Sequence, residues 1–447
     1  GTDSVHIGTG ADFVTNTAGT SNFRAGVNAG DAIVSGGNYN VCLGDEAGTG
    51  LTTGDYNTMV GYQASIAAMT GGANCLFGSQ AGKAITSGYD NVALGYSSLT
   101  TNIVSGRNVA VGRNALYTHN TASDSNSNNV AVGYNAGYFV STGLQNTFLG
   151  GNTGLGITGA KLTGSNNTAV GYASGRALQG AATENAFVGM LSGEANTTGS
   201  YNTALGAHAF DSNLTGANNV AIGYNALHTN TDKDANVAIG SNALSTANNY
   251  GNVGVGHYAG IYVTSGIANI CIGYIAGYSS NDGNQLTTGG SNVLIGNAAN
   301  VAASGNASSI TIGSGIGKGA STGFITPGGG GVYQGNNASA WSQTSDRRLK
   351  KNIVDSPIGL AELNQLQIRN FEYRTEDEIT ELDGKVDKVD VQGVQVGVIA
   401  QEIQAILPKC VNETSQGVLA VNADNLTWHL IKAVQELSAR LEALEGA

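Results

Sequence analysis

The chain has 447 residues, of which 68 are glycine and three are proline, and its formal net charge is −12. It is longer than one ordinary domain. The acidic balance argues against a nucleic-acid partner, because binding to a phosphate backbone depends on lysine and arginine. No run of about 18 apolar residues is present, so we expect no membrane insertion.

Charge divides the chain into two unlike parts. Residues 1–344 contain 8 basic and 14 acidic residues, whereas residues 345–447, less than a third as long, contain 11 and 17. The first proline is Pro327, so a ladder of stacked backbone hydrogen bonds can run through the preceding residues without a missing donor. We therefore predict a repeat array over 1–314, an extended linker over 315–344 and a separate module over 345–447.

A five-residue motif recurs along the array: Asn, then small or β-branched residues, then Gly. Its clear copies, most of them 17 residues apart, begin at Asn40, Asn57, Asn74, Asn91, Asn108, Asn129, Asn146, Asn167, Asn185, Asn202, Asn219, Asn236, Asn252, Asn269 and Asn292. Weaker copies begin at Ser4, Asn22 and Ser309. A repeat of this regularity is the signature of a solenoid.

Each copy predicts one short strand, because its bulky and small residues alternate with the period of a strand that has one buried face. The Gly supplies a turn that a Cβ would obstruct. The following small cluster, as at Tyr172–Gly175 and Tyr224–Leu227, predicts a second short strand. Longer spacings predict loops on one face, at Ser123–Asn129, Thr158–Asn167 and Asn281–Gly290.

The asparagines that begin the copies are expected to form an internal amide ladder, with ligand contact as the alternative. The four cysteines match no metal-binding spacing, and we predict no metal site and no cofactor. Three of the cysteines replace small apolar residues of the repeats and are expected to be buried: Cys42, Cys75 and Cys271.

A coil this thin is predicted to need partners. It buries about four apolar groups worth on the order of 1–3 kcal/mol each, whereas ordering the backbone costs about 1–2 kcal/mol per residue. Stacking of coils and packing against other copies offset that cost, so we expect a homo-oligomer.

The array resembles the β-roll head of trimeric autotransporter adhesins, whose repeats are similar to NSVAIG followed by a pair of small residues. The resemblance implies a left-handed roll three chains wide. Tyrosine follows the motif glycine in several coils, at Tyr62, Tyr96, Tyr134, Tyr172, Tyr224 and Tyr274. Such a row can stack on sugar rings, which makes these residues candidate glycan contacts. Packing against one another or at a seam between chains is the alternative.

The module over 345–447 predicts a small α+β domain. In chain order we expect a helix over 357–366, a strand over 368–374, a solvated loop over 375–390, a strand leading into a helix over 394–408, and a strand over 418–421. A long helix follows from Asp424 and carries an apolar heptad pattern typical of a three-chain coiled coil, formed by Leu430, Val434, Leu437, Leu441 and Leu444.

The sequences SDRRLKKNI at 345–353, FEYR at 371–374 and GVIAQE at 397–402, with the terminal amphipathic helix, resemble the endosialidase-type intramolecular chaperone domain. That domain lies at the C-terminus of many bacteriophage tail fibres and tailspikes. The resemblance implies a homotrimeric virion fibre, extracellular, that contacts a host glycan or receptor and other tail proteins. The fold class expected is mainly β, a trimeric β-solenoid shaft of 17-residue coils followed by the small chaperone domain.

The resemblance also implies self-cleavage at the bond Thr344–Ser345, with Ser345 as nucleophile and Lys350 as its base. A serine hydroxyl needs a neighbouring base, and a partly desolvated lysine can lose its proton near neutral pH. Gln395 occupies the position where the family usually has histidine, which leaves cleavage open. The alternative is that Ser345 is a turn residue beside Asp346.

Three further function classes follow from the same observations. The enzyme activity expected is at most that of a single-turnover serine autoprotease. A bacterial cell-surface trimeric adhesin is an alternative that would need a membrane anchor. A tailspike that degrades polysaccharide is another, although the array shows no paired carboxylates of the kind that glycan hydrolysis needs.

Overall fold

The computed structural model describes residues 18–121, 123, 126–278, 285–326, 332–334, 342–343, 347–374, 378–379, 393–413 and 418–446. The chain divides into two compact units, residues 1–344 and residues 345–447. The first is a β-solenoid of about 17 turns, and the second contains short strands and a long C-terminal helix.

The solenoid contributes one short strand per coil, and each strand pairs in parallel with the strand of the next coil. The strands are β1 (Phe23–Ala25), β2 (Val41–Leu43), β3 (Thr58–Val60), β4 (Cys75–Phe77), β5 (Val92–Leu94), β6 (Val109–Val111), β7 (Val130–Val132), β8 (Thr147–Leu149), β9 (Thr168–Val170), β10 (Ala186–Val188), β11 (Thr203–Leu205), β12 (Val220–Ile222), β13 (Val237–Ile239), β14 (Val253–Val255), β15 (Ile270–Ile272), β16 (Val293–Ile295) and β17 (Ile310–Gly313). The register is constant, so the first, second and third residues of every strand form rows along the axis. The predicted strand of each motif is confirmed.

The central residue of each strand faces the interior of the coil, and its two neighbours face outward. In β6, Ala110 is fully buried while Val109 and Val111 are only half-buried. Cys42 and Cys271 are central and buried, as predicted, but Cys75 holds the first, outward position of β4 and is exposed. The bulky residues of the motif therefore form the outer face of the sheet.

The segment after the motif glycine is a chain of turns, so the prediction of a second strand is wrong. Ala173 and Gly175 have φ of 54° and 55°, and Asn225 and Leu227 have φ of 54° and 50°. The N–H of Ala173 donates to the preceding coil and that of Gly175 to the following coil. Alternate left-handed residues cannot continue an extended strand.

The asparagines that begin the motifs form the predicted amide ladder through the solenoid. Asn202 is typical: its backbone N–H and its Nδ2 donate to Asn185 Oδ1 over 3.1 and 3.2 Å, and its Nδ2 also donates to Gly216 O over 2.8 Å. Its own Oδ1 accepts from the N–H of Asn219 over 3.0 Å. All these amides are buried, so the ligand-contact alternative is wrong for them.

Asn202→Ala is expected to lower the free energy of unfolding by about 2–4 kcal/mol, because it leaves the buried N–H of Asn219 without its acceptor and removes one of the donors to Gly216 O. The comparison is Asn248→Ala, whose amide oxygen accepts from Thr231 at an exposed position, and which should cost under about 0.5 kcal/mol. Urea unfolding followed by circular dichroism measures both. Equal losses in the two variants would contradict a structural role for the ladder.

The predicted loop Thr158–Asn167 is shorter than expected. Ile157 and Ala160 form an antiparallel bridge, and Leu162 has already rejoined the solenoid, where it is buried and bridges Val140 and Gly180. The other two predicted loops, Ser123–Asn129 and Asn281–Gly290, lie partly outside the described residues.

Residues 315–344, predicted as an extended linker, contain three strands that continue the sheet. Strand β18 (Gly323–Thr326) pairs in parallel with β17, and β19 (Val332–Gln334) and β20 (Ser342–Gln343) follow in antiparallel pairing. Phe324 is buried beneath Lys318, whose Nζ lies 4.5 Å from the ring centroid.

In the second unit the described residues form two antiparallel strand pairs and three α-helices. Its elements are β21 (Arg369–Phe371), β22 (Gln395–Gly397), β23 (Val411–Glu413), β24 (Leu419–Val421), α1 (Leu360–Leu363), α2 (Ala400–Ile406) and α3 (Ala423–Glu445), with short 3-10 turns at Arg347–Leu349 and Pro408–Cys410. Its core is centred on Ile403, Leu407, Cys410 and Val411. Of the described helices, none is both long and apolar enough to span a bilayer.

Most predicted elements of this unit are confirmed, but the first helix is much shorter than 357–366. Helix α1 begins at Leu360 because two carboxylates cap it: Glu362 accepts from Gly359 N, and Glu436 of α3 accepts from Leu360 N, each over 2.9 Å. Ser356, just before the predicted start, accepts from Ile358 N over 3.3 Å and caps no helix. Strand β23 was not predicted. The predicted loop over 375–390 lies outside the described residues, apart from 378–379.

Candidate functional site

The predicted cleavage junction is described only on its C-terminal side. Thr344 and Ser345 lie outside the described residues, so the geometry of the serine and its base stays a prediction. Lys350 follows the 3-10 turn at Arg347–Leu349 and is exposed; its backbone N–H donates to Arg347 O over 3.1 Å. A lysine base needs desolvation.

Gln395 lies in β22, opposite Phe371 of β21. Its side chain is half-buried, and its Nε2 donates to Gly393 O over 3.0 Å. An amide at this position holds the local backbone but cannot take up a proton as an imidazole would.

The tyrosines that follow the motif glycines form an exposed row on the solenoid. Their exposed fractions lie between 50% and 59%, for Tyr62, Tyr96, Tyr134, Tyr172, Tyr224 and Tyr274. Members of the row are at least two coils apart, which at about 4.8 Å per coil separates their rings by roughly 10 Å. Rings of the row contact residues of intervening coils: Arg113 lies 5.4 Å from the Tyr96 centroid, His208 meets Tyr224 edge-on at 6.2 Å, and His257 stacks on Tyr274.

The outward residues of the strands form an apolar stripe along the solenoid. Its exposed members include Leu43, Phe77, Val92, Leu94, Val132, Leu149, Val188, Leu205, Ile239, Ile272, Ile310 and Ile312. Contiguous exposed apolar surface of this extent marks an interaction surface in soluble proteins. In these strands the motif therefore places large apolar side chains where a single chain cannot bury them.

One cluster escaped the sequence prediction. The Asp211 carboxylate lies 3.1 Å from His208 Nδ1 and 2.9 Å from His228 Nδ1. The contact with Asp211 raises the pKa of His228. Burial raises the pKa of Asp211, but the contacts with His228 and His208 together outweigh it, and the net pKa is lowered. The signal was available, because Asp211 and His228 are one 17-residue period apart.

A third histidine is buried inside the solenoid. His119 is fully buried, with Nε2 3.5 Å from Asn129 Nδ2. Burial lowers the pKa of His119 to about 4. No group of three or more His, Cys, Asp or Glu suited to a metal ion occurs among the residues that the structure describes.

Acid is expected to destabilise the solenoid through His119. Its ordinary pKa is about 6.5, so between about pH 6.5 and 4 the unfolded chain binds a proton that the folded chain excludes. Stability therefore falls as the pH falls, by about 3 kcal/mol near pH 4. His119→Gln should remove this part of the pH dependence, measured as urea midpoints at pH 7 and pH 4.5. If the urea midpoint of His119→Gln fell between pH 7 and pH 4.5 as much as that of the unchanged chain, the prediction would be wrong.

Comparison with known proteins bears on the second unit. Residues 345–412 match the family model described as chaperone of endosialidase. The match begins at the first residue of the second unit and includes the three motifs that carried the resemblance. No curated protein and no solved structure matches the chain. The matched segment supports an intramolecular chaperone that follows a β-solenoid.

Proposed function

We propose that the chain is the shaft of a homotrimeric bacteriophage tail fibre whose second unit is an intramolecular chaperone for trimerisation and folding. One observation carries the proposal: downstream of the matched segment, α3 presents an apolar heptad seam whose side chains are more than half exposed among the described residues of the unit. The seam residues are exposed by 54% to 77%, and they are Leu430, Val434, Leu437, Leu441 and Leu444.

The seam matches what a coiled coil requires. Its spacing alternates between four and three residues over a helix of 23 residues that begins at an Asn422 N-cap. Ala433, which lies beside the seam on α3, is buried within the unit, whereas the seam residues themselves stay more than half exposed. A single helix with such a seam is marginal in water, and three together bury it.

The apolar stripe of the solenoid supports the same assembly. Large outward residues such as Leu94 and Leu205 are more than two-fifths exposed in one chain. Packing three stripes against one another would remove them from water at about 25 cal/mol per Å². A shaft of this kind is stabilised by its neighbours rather than by a wide core of its own.

A chaperone is needed because the repeat does not specify register between chains. Each coil offers nearly the same strand, ladder and stripe, so chains displaced by one coil would make nearly the same contacts. A nucleus fixed at one end removes this ambiguity, since the coils then add in step from it. Non-local pairing of this kind is otherwise slow and prone to aggregation.

The oligomeric state tests the proposal. By sedimentation and light scattering, the full chain should have three times the 45.1 kDa mass of one chain. Leu441→Glu places a charge in the seam and should reduce the trimer population. Gln435→Glu adds the same charge to an exposed position of α3 outside the seam and should not. A folded monomer would refute both the trimer and the fibre.

Self-cleavage is a second candidate, favoured by the coincidence of the unit boundary with the start of the family match at Ser345. Attack of the Ser345 hydroxyl on the Thr344 carbonyl, with Lys350 accepting the proton and passing it to the departing Ser345 amine, would convert the peptide bond into an ester on Ser345 Oγ. Hydrolysis of that ester by water would then release the chaperone from the shaft. On a denaturing gel, cleavage gives bands for 1–344 and 345–447, and Ser345→Ala gives one full-length band. A full-length band from the unchanged chain means that the chaperone is retained.

Contact with the host is proposed for the exposed tyrosine row. Rings that protrude at intervals of two or more coils suit a saccharide surface, because aromatic faces stack on the apolar faces of sugars. In a virion the shaft would meet this surface outside the cell, with other tail proteins at its attachment end.

A further inference from the structure

We propose that five aromatic side chains on two adjacent coils form a binding site for an uncharged saccharide. They belong to the coils of β14 and β15 and are His257, Tyr258, Tyr262, Tyr274 and Tyr278. The inference deepens the proposed contact between shaft and host surface and rests on it, because it assigns that contact to one place and one ligand class.

The five rings form one connected patch. His257 and Tyr274 stack with centroids 5.6 Å apart and planes 7° from parallel, and the edge of His257 meets Tyr258 at 4.1 Å. Tyr278 lies 6.2 Å from Tyr258 and 5.5 Å from Tyr262. Contacts at these distances fix the rings against one another.

The patch is both rigid and accessible. His257, Tyr262 and Tyr274 are exposed, whereas Tyr258 and Tyr278 are half-buried beneath or beside them. The backbone is held between coils: Tyr258 N donates to Ser241 O over 3.0 Å, and the carbonyl of His257 accepts from the next coil over 2.9 Å. Binding to such a platform costs little conformational entropy.

Polar groups flank the rings along the axis. Strands β13 to β16 pair in register, so the residues after their motif glycines stand side by side at about 4.8 Å intervals. Ser241 therefore lies one coil before His257, and the exposed Asn297 lies one coil after Tyr274. Apolar ring faces bordered by a hydroxyl and an amide match a sugar, which has an apolar CH face and a rim of hydroxyls.

The surrounding sequence favours an uncharged ligand. No Asp, Glu, Lys or Arg occurs between Asp234 and Asp282. Elsewhere on the solenoid cations lie over tyrosine rings, as with Arg107 on Tyr89 at 5.9 Å. A nucleic-acid strand would also stack on aromatic rings, but its phosphates would find no basic side chain in this segment.

The test uses the purified full chain on an array of neutral oligosaccharides of glucose, galactose and N-acetylglucosamine, beside uronate and sialic-acid oligosaccharides. Neutral members should bind. Tyr262→Ala combined with Tyr274→Ala should weaken that binding about tenfold or more through lost stacking. The control, Tyr56→Ala combined with Tyr201→Ala, removes two exposed rings that lie outside the tyrosine row and should leave the affinity for neutral members unchanged.

Each other result overturns the site in a distinguishable way. Binding of charged members alone, or undiminished binding of neutral members by the Tyr262 and Tyr274 variant, refutes this site and keeps the proposed glycan contact elsewhere on the row. Absence of any binding by a particle of trimeric mass refutes the glycan contact and leaves the shaft and chaperone standing. A change of particle mass in the Tyr262 and Tyr274 variant shows that the patch is a contact between copies.

Discussion

A chain that ends at Thr344 is expected to give insoluble or misassembled solenoid rather than soluble trimers. Its coils bury small central residues, such as Ala110 and Ala238, and leave the bulky outward residues exposed. Without a nucleus that aligns three chains, these outward stripes meet in many registers of nearly equal energy. The effect should be all-or-none, measured as the soluble fraction after expression and the mass of any soluble particle.

Replacing residues 345–447 with an unrelated trimeric coiled coil separates the two roles of the chaperone. Recovery of soluble trimers would show that alignment of three chains is sufficient. Failure to recover, with the full chain trimeric, would show that the second unit also acts on the solenoid during folding. Well-folded trimers from the truncated chain alone would contradict the chaperone proposal.

The second large effect is expected at a motif glycine. Gly189→Ala should lower the free energy of unfolding by about 3–5 kcal/mol and disrupt the stacking of the neighbouring coil. The φ of Gly189 is +133°, and a Cβ there would lie 2.6 Å from Gly206 O in the next coil. Because that neighbour is backbone of the same constrained type, it cannot move aside without disturbing the following coil.

Gly159→Ala is the matched control. Its φ is +88°, but no atom lies within 4 Å of the position that a Cβ would occupy. Gly159→Ala should therefore lower the free energy of unfolding by about 1 kcal/mol, because the new side chain sits on a left-handed backbone but meets no steric clash. Urea unfolding and protease resistance of both variants provide the measurement. Similar losses of unfolding free energy in Gly159→Ala and Gly189→Ala would mean that the close approach between coils does not add to the cost of the Gly189 substitution.

Inside each coil, the residue at the central strand position is matched in size to a later residue of the same coil. The three-dimensional structure was needed to see this match. Phe187, at a central strand position, fills the space left by Gly193, where a Cβ would lie 2.7 Å from the ring. Where the central residue is Ala221, the corresponding later position is Leu227, and both are fully buried. Large and small residues are thus exchanged between the two positions so that the filled volume stays similar.

The motif and its period were sufficient to predict the solenoid, the strand of each coil and the amide ladder, because one local pattern repeated in step determines which residues stack. The same held for α3, whose N-cap at Asn422 and heptad seam are local features. The motifs after residue 344 were likewise sufficient for the resemblance to the chaperone family.

The tertiary structure alone decided the conformation after each motif glycine and the length of α1. Small residues such as Ala173 are compatible with strand or turn, and hydrogen bonds that alternate between the coils on either side select the left-handed turn. Glu436, 76 positions after Leu360 in the chain, caps α1 and sets its first residue. Interactions between distant residues determine these features, so no local pattern predicts them.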